Sequence, residues 1–449
     1  IAATLVAGSG GQSSAAVIRI GAVFPITSNA ASLAGPELAG VQIAADLVNA
    51  DGGLAGRRIE LVQRNLPSRD AADAVMQDLK AQGVQLVIGA YSSDLSIAAS
   101  QAADRAGLLY WESGAVADQL TGRGLPMTFR VGASGSNLGN NSATFAADEL
   151  ASRLGKPVGE LRVAIAVADD AYATSVADAA QATAIARGMP VVARRSYNLV
   201  APDWPRVMAD LKAAKPDVLI LASHIPDGIA FRQAMLKAGL KVGAFIGSTM
   251  AECDPDFAGV LGADAVGIFA SDRPTAGFQP SALDPAAAAT YARFATAWAA
   301  ASRASNAGAG DQTGDGYDRY GSQDAEYSIQ GPDANATSEQ SEEALSGFTA
   351  AWALFHDVLP AAAASGGGAG AGAAAFDAAP VAAAARTIDL PEGSLPNGAG
   401  LHFSNDTARL GQNDRAAAVI WQWQAVRTYQ FVWPPTYATG QVAFVPLVR

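Results

Sequence analysis

Residues that carry chemistry are scarce in this chain. Its single cysteine, Cys253, excludes an intrachain disulfide and a thiolate metal site, and reads as a small packed side chain. The three histidines, His224, His356 and His402, form no H-E-x-x-H pair, and no G-x-S-x-G elbow occurs. An enzyme reading is left with scattered carboxylates that would have to meet in space, as in a hydrolase with a carboxylate pair. Positive charge is also in deficit: 30 Lys and Arg stand against 42 Asp and Glu, a net charge of -12 that disfavours nucleic acid and anionic membrane as partners. No stretch reaches the ~20 apolar residues of a membrane span, which predicts a soluble mature chain.

Half of the 449 residues are hydrophobic, enough to bury a large core and to divide into at least two domains. Residues 1–16 read as a signal remnant and Gly/Ser linker, which predicts export. Leu5-Val6-Ala7-Gly8 has the form of a lipoprotein processing box, but Ser9 stands where the acylated cysteine would be. Strand patterns then alternate with helical ones. Ile18–Phe24, Ile59–Gln63, Leu86–Gly89, Leu108–Trp111 and Thr128–Val131 make one series; Leu161–Val167, Val191–Arg195, Val218–Ala222, Ala244–Gly247 and Val266–Ala270 make a second. Two similar α/β lobes with parallel sheets follow from this alternation. Between strands, Asp203 is placed to cap a helix whose first turn accommodates Pro205.

Two segments carry a resemblance. Asn49-Ala50-Asp51-Gly52-Gly53-Leu54-Ala55-Gly56-Arg57, closing a helix and leading into a strand, resembles the opening of the type I periplasmic binding proteins, in particular the leucine/isoleucine/valine-binding family that serves ABC importers. The tract from Asp203-Trp204-Pro205 to Lys215-Pro216-Asp217 is similar to that family's second lobe, and the resemblance spans roughly residues 17 to 275. It implies two Rossmann-like lobes joined by a three-segment hinge, with crossings near 132, 271 and 398. Residues 17–132 and 271–398 would form lobe 1, and residues 133–270 and 399–449 lobe 2 with a C-terminal extension.

Several tracts fall outside the α/β alternation. Residues 304–346 are polar and acidic without a sustained period and read as an inserted surface loop. Their Asp-rich start does not fit the EF-hand pattern, and Asn335-Ala336-Thr337 has the form of a glycosylation sequon. Ala361–Ala375 is Ala/Gly low complexity; no strand feeds Gly366-Gly367-Gly368 and no Lys-Ser/Thr follows, so a flexible connection is expected rather than a phosphate cradle. Gly400–Asn413 and Ala418–Trp433 read as extended, with Trp421 and Trp423 on one strand face.

A binding protein of this class presents polar groups at the carboxyl ends of parallel strands, aimed into the crevice between lobes. After Leu86–Gly89 come Ser92, Ser93 and Asp94 at a helix start, where hydroxyls and exposed N–H groups suit a carboxylate; simple helix capping is the equal alternative. The resemblance implies a carboxylate-receiving role for Ser93. After Leu108–Trp111 come Glu112, Gly114 and Val116; Val116 stands at a family threonine, so contacts there would come from main chain at Gly114 and Val116 or from Glu112, an acid that can equally be paired internally. In the second lobe the resemblance implies cleft aromatics at Tyr172 and at His224, with Asp227 close behind. Thr249 replaces the family acid that holds an α-ammonium, leaving Glu252, Asp227 or Glu112 as substitutes, and Leu33 replaces a family aromatic.

The expected protein is therefore a periplasmic, monomeric substrate-binding subunit that captures an amino acid, an amide or a related amine or carboxylate, closes by a hinge, and meets ABC permease subunits. No cofactor or metal is expected. A ligand-sensing subunit of a receptor and a hydrolase using cleft carboxylates are the alternatives.

Overall fold

The computed structural model describes residues 17–28, 31–248, 255–274, 277–308, 341–366, 372–426 and 428–447. The expected features at residues 1–16, Thr249, Glu252, Cys253 and Asn335, and most of the acidic insertion, lie outside them. Each half is an α/β layer structure. The first sheet runs in the order β2-β1-β3-β4-β5, all parallel, from β1 (Val17–Phe24), β2 (Arg58–Asn65), β3 (Leu86–Gly89), β4 (Leu109–Glu112) and β5 (Thr128–Arg130). The helices α1 (Ala31–Ala50), α2 (Ala72–Ala81) and α3 (Ser93–Ala106) make its crossovers.

The second sheet has seven strands in the order β12-β11-β10-β9-β8-β6-β7. Its parallel members are β6 (Val163–Ala168), β7 (Val191–Tyr197), β8 (Val218–Ala222), β9 (Ala244–Ser248) and β10 (Phe269–Asp272). The terminal hairpin β11 (Val419–Ala425) and β12 (Thr428–Trp433) adds antiparallel to β10. On this sheet, α4 (Gly135–Phe145), the short α5 (Ala151–Arg153), α6 (Ala171–Ala186), α7 (Trp204–Ala214), α8 (Ile225–Ala238) and α9 (Pro255–Leu261) pack as covers and connections. Asp203 caps α7 as its position predicts, its carboxylate accepting the Arg206 N–H at 3.2 Å. Strands β3, β4, β6, β8 and β9 are buried throughout, which is why they read as continuous apolar runs rather than alternating ones.

Two boundaries differ from the sequence reading. Helices α10 (Pro285–Gly308) and α11 (Ser341–Trp352) run into both ends of the stretch read as a loop, and Leu359–Ser365 is helical where a flexible connection was expected. Residues 403–413, beyond the crossing expected near 398, make contacts with the first sheet: Phe403 packs on Trp111 and Phe129 with centroids 5.2 and 5.1 Å away, and Gln412 bridges to Arg130 of β5. Gly411 touches the β5 backbone, since a Cβ there would sit 2.0 Å from the Thr128 carbonyl oxygen. Asn413 Nδ2 donates to the Val131 and Gly400 carbonyls at 2.9 Å each. Gly411 and Asn413 thus satisfy backbone left open where β5 ends: the Gly411 carbonyl accepts the Arg130 N–H at 2.9 Å, and the Asn413 N–H donates to the Arg130 carbonyl at 3.0 Å.

Helix α11 lies on α1 at backbone contact. A Cβ on Gly347 would stand 2.0 Å from the Glu37 carbonyl oxygen, and one on Gly40 2.0 Å from that of Ala344. Gly347→Ala is expected to force these helices apart and to cost about 1–3 kcal/mol, as overpacking does. A urea unfolding midpoint unchanged from wild type would contradict this packing.

Candidate functional site

The carboxyl ends of the parallel strands of both sheets face one cavity of about 280 Å³. From the first half it is lined by Tyr91, Ser92, Ser93 and Asp94, after β3, and by Gly114, Ala115 and Val116, after β4. Across it stand Asp170 and Tyr172 after β6, Leu199 after β7, His224 after β8 and Arg273 after β10. In each sheet the strand order reverses beside the first of these strands, where crevices open in α/β folds.

Seven of the ten sequence-predicted residues line this cavity: Ser92, Ser93, Asp94, Gly114, Val116, Tyr172 and His224. Glu112 and Asp227 do not, and Thr249 is outside the described residues.

Glu112 turns inward. It is fully buried, and its Oε1 accepts the N–H groups of Ser113, Gly114 and Ala115 at 3.1, 2.8 and 2.7 Å, while Oε2 accepts the Tyr110 hydroxyl at 3.1 Å. Burial raises its pKa against the lowering effect of these donors. Glu112 therefore shapes the loop rather than meeting a ligand. Gly114 is likewise consumed as a main-chain contact: its N–H goes to Glu112 and its carbonyl accepts from Arg273 Nη1 at 2.9 Å. A Cβ there would lie 2.2 Å from a Glu37 carboxylate oxygen, so any larger residue would displace that side chain. Arg130, also fully buried with its pKa lowered by burial to about 10, donates to the Ala115 and Ala117 carbonyls. The Val116 carbonyl accepts from Gly135 N–H at 2.6 Å. After this accounting the Val116 N–H has no partner among the described residues and borders the cavity.

A second donor set sits beside it. Ser92 is the N-cap of α3 but makes no side-chain cap bond, and Ser93 Oγ accepts the Ala117 N–H at 3.1 Å, tying the two loops together. The first N–H groups of α3, at Ser93 and Asp94, have no intrahelical acceptor and point out of the positive end of the helix. The opposite wall is aromatic and charged. Tyr172 is buried and shares its hydroxyl between the Ser248 and Ser223 carbonyls at 2.5 and 3.2 Å, so it offers the cavity its ring rather than its oxygen. His224 meets that ring edge-on at 5.0 Å. Its Nε2 lies 2.9 Å from Asp170, whose other oxygen caps α6 through the Ala173 N–H at 2.8 Å. Burial opposes the imidazolium, but the Asp170 hydrogen bond and the charges of Asp170, Asp227 and Asp94 hold the His224 pKa above its ordinary value. Asp227 serves as a cap: it accepts the His224 N–H at 3.0 Å and the Tyr197 hydroxyl at 2.5 Å, and burial raises its pKa.

Sequence reasoning missed Tyr91, Ala115, Asp170, Leu199 and Arg273. Asp170 was legible as an N-cap before Tyr172. Arg273 carried only the weak signal of following a buried strand, whose end lies two residues beyond the expected one.

Such an architecture, paired α/β halves with polar groups from both converging on one cavity, is that of a solute-binding protein. The chain belongs to the periplasmic binding protein family, whose model matches residues 17–318. Within it, the chain is 27% identical over 429 residues to Leu/Ile/Val-binding protein homolog 8 of Brucella abortus (strain 2308), covering 95% of this chain and 93% of that protein. It is 29% identical over 241 residues to Leu/Ile/Val-binding protein homolog 7 of Brucella melitensis, 54% of this chain and 60% of that one. The fold matches a type 1 periplasmic binding protein of Bordetella pertussis Tohama I, with a TM-score of 0.67, 19% identity, and coverage of 93% of this chain and 99% of that one. It also matches the branched-chain amino acid transporter substrate binding protein of Streptococcus pneumoniae in complex with isoleucine, with a TM-score of 0.63, 18% identity, and coverage of 93% and 100%. Members of this family are binding proteins. Among the described residues no helix is long and apolar enough to cross a membrane.

Behind the Gly114 loop lies a buried acid with a testable charge state. Burial and then the neighbouring Glu343 charge push the Glu37 pKa well above the usual carboxyl range. A folded-state pKa above the unfolded one means that the folded chain keeps a proton the unfolded chain releases, so stability falls as pH rises through that window. Glu37→Gln removes the titration, keeps an acceptor for the Ser113 hydroxyl, and is expected to be progressively more stable than wild type as pH rises above about 4.5, by at most ~1.4 kcal/mol per pH unit. Parallel melting curves from pH 5 to pH 8 that keep a constant spacing would contradict a proton on Glu37.

Proposed function

We propose that this protein is the extracytoplasmic substrate-binding component of an ABC importer, capturing a small amino acid, amide or related amine or carboxylate between its lobes. The observation that carries this reading is the pairing across one cavity of unpartnered N–H donors, at the α3 N-terminus and Val116, with the Tyr172 ring, His224 and Asp170. The donors suit a carboxylate, and Asp170 on the facing wall suits an ammonium. The cavity volume lies just under the ~300 Å³ lower end of ordinary ligand sites, which favours a small molecule. Ala115, Val116 and Leu199 leave room for an aliphatic portion, in keeping with the names of the Brucella relatives. Lobe closure about the three chain passages would remove the ligand from water and present a two-lobe surface to the permease, so selectivity needs no chemical step in this protein.

A thermal-shift panel on refolded, ligand-stripped protein tests this. Amino acids, amides, polyamines and small carboxylates would be compared; a ligand at ~100 times its dissociation constant adds ~2.7 kcal/mol and moves the midpoint by several degrees. Hits are expected in one chemical class and are expected to weaken at least tenfold with Ser93→Ala and with Tyr172→Ala. A silent panel would count against the reading.

A further inference from the structure

The two donor loops of the cavity are tied to segments far from them in the chain. Tyr91, which immediately precedes the α3 N-terminus, has a left-handed backbone (φ 72°) rare for a tyrosine, and its hydroxyl donates to Glu343 Oε1 at 3.4 Å. Glu343 projects from α11, and its other oxygen, Oε2, accepts from Arg273 Nη2 at 2.6 Å. The same guanidinium donates through Nη1 to the Gly114 carbonyl at 2.9 Å, in the loop that carries the Val116 N–H. Arg273 stands directly after β10, where the chain leaves the second sheet. One buried ion pair thus connects both donor loops, helix α11 and a passage between the lobes. Both members are nearly inaccessible, with side chains 11% and 10% exposed, so the pair is little screened by solvent.

We propose, resting on the binding function above, that Glu343 and Arg273 are positioning residues for ligand capture: the pair aligns the α3 N-terminus with the Val116 N–H so that both face one carboxylate, and links that alignment to the interlobe passage. Glu343 stands outside the cavity lining, and Arg273, which lines it, has Nη1 and Nη2 committed to the Gly114 carbonyl and to Glu343. Because Arg273 serves two acceptors at once through a planar fork, a lysine cannot replace it there.

Two measurements test the pair. Hydrogen–deuterium exchange of the ligand-free protein reads the alignment directly. With Glu343→Gln, segments 91–96 and 113–117 are both expected to exchange at least tenfold faster, while β6 and β8 are unchanged. With the milder Arg273→Lys, the 113–117 segment alone is expected to loosen. Isothermal titration with L-leucine and L-leucinamide separates positioning from a general loss of structure. Either variant is expected to lose at least tenfold in L-leucine affinity while L-leucinamide changes less than threefold, because only the carboxylate needs the aligned donors. Equal losses for both probes, or exchange changes confined to α11, would overturn the proposal. Wild type that binds neither probe would count against an amino-acid ligand, and the exchange result alone would then decide the role of the pair.

Discussion

The structure depends on how main-chain polar groups are satisfied where the first sheet ends at the cavity. Strands β4 and β5 deliver a loop whose N–H and carbonyl groups are shut away from water, and each unpaired one would cost about 1–3 kcal/mol. Glu112 takes three of the N–H groups and Arg130 takes two of the carbonyls, each from a fully buried position. What they leave over is the donor that faces the cavity. The site is thus what remains of a nearly complete set of internal hydrogen bonds, so its geometry is set by the protein's own polar groups.

The same requirement explains the distribution of charge. Acids outnumber bases in the chain as a whole, yet the arginines inside the fold each serve several acceptors: Arg130 serves Gln412 and two carbonyls, Arg273 serves Gly114 and Glu343. Removing one partner of such a buried pair typically costs 3–5 kcal/mol, so these contacts fix conformation more than they add net stability. For Glu37, burial and then the Glu343 charge outweigh the opposing charge of Arg273 and push its pKa well above the usual carboxyl range.

Much of the fold was legible because buried parallel strands have no polar face to alternate. β3 and β8 were read to the residue from their apolar runs, and α7 from its Asp203 cap and Pro205. The site was legible to the extent that strand ends are. Ser93, Tyr172 and His224 follow such ends directly and do line the cavity. Glu112 defeated the same rule, since an acid after a buried strand can face inward to the backbone as readily as outward, and spacing does not distinguish the two. Arg273 was hidden because its role comes from partners 159 and 70 residues away in sequence. The ties of Gln412 to Arg130 and of Asn413 to Val131 were hidden because they are side-chain bonds, which leave no periodic pattern.

Where a ligand sits decides between this binding site and any other. A crystal structure of the protein grown with L-leucine, or with whichever compound most raises its melting midpoint, is the most direct measurement. Density is expected in the cavity between the sheets, with the acidic end of the ligand within hydrogen-bond distance of the Ser93 and Val116 N–H groups and its body against the Tyr172 ring. A ligand bound elsewhere, or one in the cavity with its carboxylate turned away from those donors, would contradict this assignment.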